Sequence, residues 1–160
     1  NMPWVASNSN RYGWDASEAQ LKTVKKMCIV YIALSLLSSL PCGILPTGVA
    51  RFNWVGFAAT AALVAQMLEI IAVIRFYLAK SHLDYRTFHS IHWMMDYAPL
   101  FHMILMAVAA AAGIVSCICG FTGVLDLLVI ILFVLSAVCS LLLRKTYRSL
   151  SVYNVKEHEL

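Results

Sequence analysis

The stretch VLDLLVIILFVLSAVCSLLL, residues 124–143, decides the fold. It runs for twenty residues with Asp126 as its one charged side chain. The hydrocarbon core of a bilayer is about 30 Å thick and a helix rises about 1.5 Å per residue, so about 20 apolar residues suffice to cross it. This stretch is therefore predicted to be a transmembrane helix.

Three further runs of the same kind precede it, at about Met27–Leu45, Val55–Ala79 and Tyr97–Cys119. Because lipid offers no partners to backbone N–H and C=O groups, each run is expected to be an α-helix. The predicted fold is all-α, an integral membrane four-helix bundle. Its transmembrane domain is expected to occupy residues 27–143, between an amino-terminal segment and a short tail.

The composition supports a membrane protein. Of 160 residues, 61% are hydrophobic and 12% are charged, and the mean hydropathy is +0.78. A soluble domain carries about a quarter of its residues as charges, so this balance excludes a soluble enzyme, a disordered chain and a disulfide-rich secreted scaffold. Lipid is therefore the first expected partner.

The distribution of Lys and Arg predicts the orientation. Cations lie before the first run, between the second and third, and after the fourth, namely Arg11, Lys22, Lys25, Lys26, Lys80, Arg86, Arg144, Lys145, Arg148 and Lys156. The other side carries only Arg51. By the positive-inside rule both termini are expected to be cytoplasmic, in a multi-pass protein of the cell membrane. The net charge of +4 is explained by this margin, so a nucleic-acid partner is not expected.

The segments outside the bundle have their own expected roles. Residues 1–26 are predicted to form an amphipathic cytoplasmic segment in which Trp14 rests on the headgroup layer. Asp15-Ala-Ser-Glu18 is a helix-capping pattern, and that helix is expected to run into the first span. Residues 144–160 are predicted to be a cytoplasmic tail.

Small residues predict where helices pack closely. Small side chains let two helix backbones approach in a membrane, where apolar burial gives no driving force between helices. They concentrate in the outer halves of the second and third spans, and the packing candidates are Ala58, Ala62, Ala65, Ala109, Gly113 and Ser116. We expect these two spans to contact each other; the alternative is that one stripe is an oligomer contact.

Glu69 is the sharpest candidate for function. It lies about 15 Å from the cytoplasmic end of the second span, near the bilayer middle. An ionisable group at that depth is costly and is expected to face the bundle interior, as a neutral hydrogen-bonding carboxyl or as a functional group. Ser35 and Ser38 on the first span and Gln66 on the second lie at suitable depths to be its partners.

The connection between the second and third spans is rich in histidine. Residues 81–96, projected as a helix, place His82, His89, His92 and Asp96 on one side and apolar residues on the other. We expect an amphipathic cytoplasmic helix here, lying along the membrane or docked under the bundle.

A metal site in this segment would use His89, His92 and Asp96, with His102 or His158 as a further ligand. The alternative is a solvated polar face. His102 is the one histidine inside a predicted span, so a haem would need a second axial ligand from elsewhere. The cofactor is unknown from the sequence.

Cys42, Cys117 and Cys119 fall near the outer face, where a disulfide from Cys42 to Cys117 or Cys119 can form. The alternative is that they are small apolar residues without a bond. The pattern contains no CxxC pair, as a thiol-redox enzyme would require. At the same face Asp126 is expected to cap the fourth span and to lie near Arg51.

Three classes of function remain open. The first is a non-enzymatic component, such as a subunit, scaffold or immunity-type protein that binds a partner membrane protein or a second copy through helix contacts. The second is a small oligomeric transporter or channel with Glu69 as its ion or proton site. The third is a membrane enzyme that uses residues 82–96 or the outer cysteines; whether the chain is an enzyme stays undecided.

Overall fold

The computed structural model describes residues 12–45, 48–49, 52–120 and 123–154. Within them, four helices are long and apolar enough to cross a membrane. We number the elements along the chain as β1 (Tyr12–Asp15), α1 (Glu18–Ser39), α2 (Asn53–Leu78), α3 (Tyr85–Ile118), α4 (Val124–Arg148) and β2 (Ser151–Asn154), with a 3-10 turn at Leu40–Gly43 after α1. The prediction of a helical membrane bundle is confirmed.

Each helix extends beyond its predicted span on at least one side. The capping pattern works as expected, because Ser17 Oγ accepts a hydrogen bond of 3.1 Å from the Gln20 N–H and α1 starts at Glu18. At the other end of α1, Pro41 lies in the 3-10 turn. The helix α4 passes the last apolar residue and continues to Arg148. In α3 and α4 the backbone hydrogen bonding continues past the apolar run. By contrast, α1 ends at Ser39, before the predicted end of the first span at Leu45, because the turn that contains Pro41 follows it.

The prediction of a separate amphipathic helix over residues 81–96 is wrong. Most of this segment is the first part of α3, which starts at Tyr85. This helix runs unbroken for 34 residues, which is about 50 Å at 1.5 Å per residue and well beyond the bilayer core. No glycine or proline interrupts residues 85–98, and Pro99 lies inside the helix without ending it. Phe88, Ile91 and Met95 are buried, so this first part of α3 docks against the bundle.

A small antiparallel sheet joins the two ends of the described chain. The strand β1 pairs with β2, with Tyr12 opposite Asn154 and Asp15 opposite Ser151. No strand is predicted from the sequence, and Trp14 is predicted to lie at the headgroup layer. Instead Trp14 is buried against Phe76, Phe88 and Tyr147. Burial of an aromatic ring within other aromatic rings removes more apolar surface from water than an exposed interfacial position does.

The four helices form a closed ring in which α2 contacts α3, α3 contacts α4, and α4 contacts α1 extensively, whereas the contact between α1 and α2 is smaller. Large apolar side chains on all four helices face outwards, including Leu37, Phe57, Ile104 and Leu135. These surfaces are the ones that meet lipid in a bilayer.

The small residues pack inside the chain, as the intrachain interpretation expects. All six packing candidates are buried, and Ala58, Ala62 and Ala109 belong to one apolar cluster. The most extensive helix contact is that between α2 and α3. Gly113 is predicted from the sequence to face α2, but it faces α4, because a Cβ there would lie 2.8 Å from Ile130 Cγ1 on α4. Gly113 therefore serves the approach of α3 to α4.

Candidate functional site

Three buried polar side chains from three helices meet in the bundle interior. Ser140 Oγ on α4 donates a hydrogen bond of 2.9 Å to Glu69 Oε2 on α2. His102 Nδ1 on α3 lies 2.6 Å from Ser140 Oγ and 3.5 Å from Glu69 Oε2. All three side chains are fully buried. We call Glu69, His102 and Ser140 the acid layer.

The hydrogen bonds of the acid layer fix where a proton can be added. With the Ser140 hydroxyl donating to Glu69, the Ser140 oxygen is left to accept from His102, which assigns the proton of a neutral imidazole to Nδ1. Glu69 Oε1 and His102 Nε2 are buried without a hydrogen-bond partner in the described part of the chain. A proton entering the site therefore has two free positions, one on the carboxyl and one on the imidazole.

A second polar group lies one helical turn away. Gln66 Oε1 accepts from Ser39 Oγ at 3.0 Å, and Gln66 Nε2 donates to Ser35 Oγ at 3.2 Å. Ser35 Oγ lies 3.1 Å from Ser136 Oγ on α4. We call these four residues the amide layer. Because Gln66 precedes Glu69 by three positions and Ser136 precedes Ser140 by four, the two layers are neighbours along α2 and α4.

The amide layer borders a cleft that is open to the surroundings. The cleft has a volume of about 350 Å³ and lies between the end of α1 and the amino-terminal half of α2. Ser39 and Gln66 are polar groups in its lining. Its other walls are mainly apolar, with Leu40, Val55, Leu63 and Phe133 among them. Gln66 thus lines the cleft and lies one helical turn from Glu69 on α2.

The opposite side of the acid layer is closed by apolar side chains. Phe76, Met95 and Leu143 are fully buried and belong to one cluster with Trp14 and Tyr147. Trp14 Nε1 donates a hydrogen bond of 3.0 Å to the Tyr147 hydroxyl. The interior thus has buried hydroxyl and amide groups on the cleft side of the acid layer, and on the strand side a mainly apolar cluster in which Trp14 and Tyr147 are hydrogen-bonded to each other.

The predicted surroundings of Glu69 are correct in location but not in partners. Gln66 and Ser35 are buried nearby, yet they bond to each other and not to Glu69. Ser38 Oγ donates to the Leu34 carbonyl of its own helix at 2.9 Å, so Ser38 takes no part in either layer. Rotation of α1 about its axis, which the depth of a residue does not reveal, decides between Ser35 and Ser38.

The two actual partners of Glu69 are residues that the sequence analysis did not assign to it. The predicted spans put His102 near the start of the third helix and Ser140 near the end of the fourth. Those positions looked shallower than Glu69 because the true helices continue outside the apolar runs. A usable signal was present all the same, since His102 is the one histidine in a predicted span.

The residues proposed for a metal have other partners. His92 Nδ1 lies 2.6 Å from the Tyr147 hydroxyl, and Asp96 Oδ1 lies 2.8 Å from Arg148 NH1. His89 stacks on Tyr85 with ring centroids 5.5 Å apart. No group of three or more His, Cys, Asp or Glu side chains in the described residues has a metal-binding arrangement. His158 lies outside those residues.

The predicted disulfide is not formed. Cys42 is a free thiol, and its Sγ donates to the Ser38 carbonyl at 3.5 Å. Cys119 is a free thiol exposed at the end of α3, and Cys117 is half-buried.

At the same end, Asp126 Oδ1 accepts from the Val49 N–H at 3.0 Å. Its carboxylate thereby ties the connection after α1 to the first turn of α4, where the helix dipole favours a negative charge. Arg51, its predicted neighbour, lies outside the described residues.

Comparisons of the chain with protein-family models, with curated proteins and with solved structures find no match.

Proposed function

We propose that this protein is a small membrane transport protein that moves protons, with Glu69, His102 and Ser140 as its proton-binding site. The proposal rests on two buried atoms, Glu69 Oε1 and His102 Nε2, that have no hydrogen-bond partner within the part of the chain that the structure describes. Each buried polar atom left unpaired costs about 1–3 kcal/mol. Two of them beside one intramembrane carboxyl indicate a site kept for a proton rather than for stability.

The arrangement of hydrogen bonds in the site favours proton binding over nucleophilic catalysis. In a hydrolytic triad the acid orients the histidine through the ring nitrogen that does not face the nucleophile. Here Glu69 and Ser140 both face Nδ1 of His102, and Nε2 faces neither. The serine links two proton carriers, so a proton passes between them through its hydroxyl.

The asymmetry of the interior supports a direction of access. We propose that protons reach the acid layer from the cleft through the amide layer, and that the apolar cluster containing Phe76 and Leu143 closes the other side. By the positive-inside rule this closed side and both termini are cytoplasmic, in a protein of the cell membrane. The cleft then opens towards the outer face.

Assembly belongs to the same proposal. The apolar cluster fills the cytoplasmic half of a single bundle, so a complete path needs a rearrangement of that bundle, a second copy or a partner membrane protein. The small-residue stripes, which were the support for a passive subunit or scaffold, are used between helices of one chain. A transport role explains the remaining feature, the intramembrane carboxyl of Glu69.

Proton flux into liposomes tests the proposal. Purified protein is reconstituted with a pH-sensitive dye inside, and a potassium diffusion potential drives protons inwards. Wild-type protein is expected to acidify the lumen, and Glu69→Gln, which keeps the shape but carries no exchangeable acid, is expected to fall to the rate of protein-free liposomes.

Asp126→Asn is the matched control, since it also converts a buried carboxylate into an amide. Its role in holding Val49 predicts lower stability with flux retained. A wild-type rate equal to that of protein-free liposomes overturns the proposal, and so does a Glu69→Gln variant with full flux. In the second case Glu69 stabilises helix packing only.

A further inference from the structure

The last two turns of α4 form a cationic depression that the acid layer does not involve. It has a volume of about 480 Å³ and is lined by Leu141, Arg144, Lys145, Arg148 and Ser149. Three of its five residues are cations, and Lys145 and Arg148 are exposed. The depression therefore presents positive charge to an approaching ligand.

Asp96 on α3 holds the two arginines in place. Its Oδ1 lies 2.8 Å from Arg148 NH1 and 3.3 Å from Arg144 NH2, and its carbonyl accepts from Arg144 Nε at 2.8 Å. One carboxylate against three cations leaves an excess of two positive charges. Guanidinium groups already fixed by an ion pair lose less freedom when they bind a second anion.

Apolar surface continues directly from this charge into the membrane. Leu141, in the lining, is exposed, and the face of α4 below it is exposed and apolar at Val134, Leu135 and Val138. A ligand that matches both parts has an anionic headgroup and a hydrocarbon chain. A free phosphate matches only the first part.

We propose that this depression binds the headgroup of an anionic phospholipid, with an acyl chain along α4. Phosphate oxygens accept hydrogen bonds from Arg144, Arg148 and Lys145, as basic pockets at the membrane margin do. A zwitterionic phospholipid carries the same phosphate, but its ammonium group meets the excess positive charge. The preference for the anionic lipid is therefore electrostatic.

Native mass spectrometry of protein released from mixed micelles tests the proposal, with phosphatidylglycerol and phosphatidylcholine of equal acyl chains at equal concentration. Wild-type protein is expected to retain phosphatidylglycerol preferentially. Lys145→Gln, at an exposed position where folding is not at risk, is expected to weaken retention by about fivefold, and Lys145→Gln with Arg148→Gln by about thirtyfold.

The matched control is Lys22→Gln with Lys26→Gln, which removes the same charge from exposed positions on α1 and is expected to leave retention unchanged. Equal retention of the two lipids by wild-type protein overturns the proposal, as does an equal loss in both double variants. Displacement of the lipid by glycerol phosphate at the same concentration also overturns it, because the site would then bind a free phosphate ester without using the acyl chain. None of these readouts depends on proton flux.

Discussion

At the residue scale, Glu69 is unusual for its surroundings rather than for its burial. One carboxyl oxygen accepts a hydrogen bond from Ser140, and the other oxygen has no partner among the described residues. Ser116 Oγ is also buried without a partner, but a hydroxyl can turn towards a carbonyl of its own helix. The carboxyl and imidazole of the acid layer have no such local solution.

Ser140→Ala tests the hydrogen bonds of the acid layer. Removing the hydroxyl leaves Glu69 Oε2 and His102 Nδ1 without their bonded partner, which lowers the free energy of unfolding by about 1 kcal/mol. This value is the lower end of the range of about 1–3 kcal/mol for buried groups that lose a hydrogen-bond partner. The lower end applies because Glu69 Oε2 and His102 Nδ1 lie 3.5 Å apart and can move towards each other. Ser38→Ala is the control, because Ser38 bonds only within its own helix, and it is expected to change stability by less than about 0.5 kcal/mol. Unfolding in a single detergent measures the free energy of unfolding of both variants. Equal losses in the two variants would contradict the hydrogen bonds assigned to Ser140.

At the scale of elements, the strand β1 covers the end of the bundle where α2 ends and α3 begins. Trp14 fills the space between Phe76 and Phe88 with ring centroids 5.0 and 5.1 Å away, and it also bonds to Tyr147. The strand passes so close to Ser81 that a Cβ on Gly13 would collide with the Ser81 carbonyl. Gly13 is thus required by a close backbone approach.

Gly13→Ala is expected to displace β1 and to expose Trp14. A carbonyl on the backbone cannot move aside as a flexible side chain can, so the strand itself must shift. Hydrogen exchange of residues 12–15 and 151–154 is expected to rise, because β2 loses its pairing partner. Gly43→Ala is the control, since a Cβ there meets nothing within 4 Å. Unchanged protection in Gly13→Ala would show that β1 is not held at this place.

At the scale of the whole molecule, the two ends of α3 are expected to lie on opposite sides of the membrane, because this helix is longer than the bilayer core. Cys119 follows the end of α3 and is exposed, and Ser81, before its start, is exposed at the opposite end. In the proposed orientation, in which both termini are cytoplasmic, Cys119 faces outwards.

An impermeant maleimide is therefore expected to label Cys119 in intact cells. The double variant Cys119→Ser with Ser81→Cys is expected to be labelled only after the membrane is permeabilised. Cys119→Ser alone gives the background from the other four cysteines. The reverse pattern would place both termini outside and would reverse the proposed direction of proton entry.

The sequence by itself determined the four spans, the buried Glu69 and the contact of the second with the third helix. The spans and the burial of Glu69 rest on a local constraint: a bilayer of fixed thickness requires about 20 apolar residues, and it penalises any charge within them. These constraints act on one segment at a time, so the order of residues reveals them. The helix contact rests on small residues in two segments that are neighbours along the chain. The capping pattern before Glu18 is local in the same way.

Only the tertiary structure decided which side chains meet. The choice of Ser140 and His102 for Glu69, and of Ser35 over Ser38 for Gln66, depends on how each helix is rotated and how far it is shifted along its neighbours. Packing of whole helix faces sets these quantities, and a change of one residue in register moves a side chain by about 100°. The pairing of β1 with β2 joins residues almost a full chain length apart, and no local pattern encodes it.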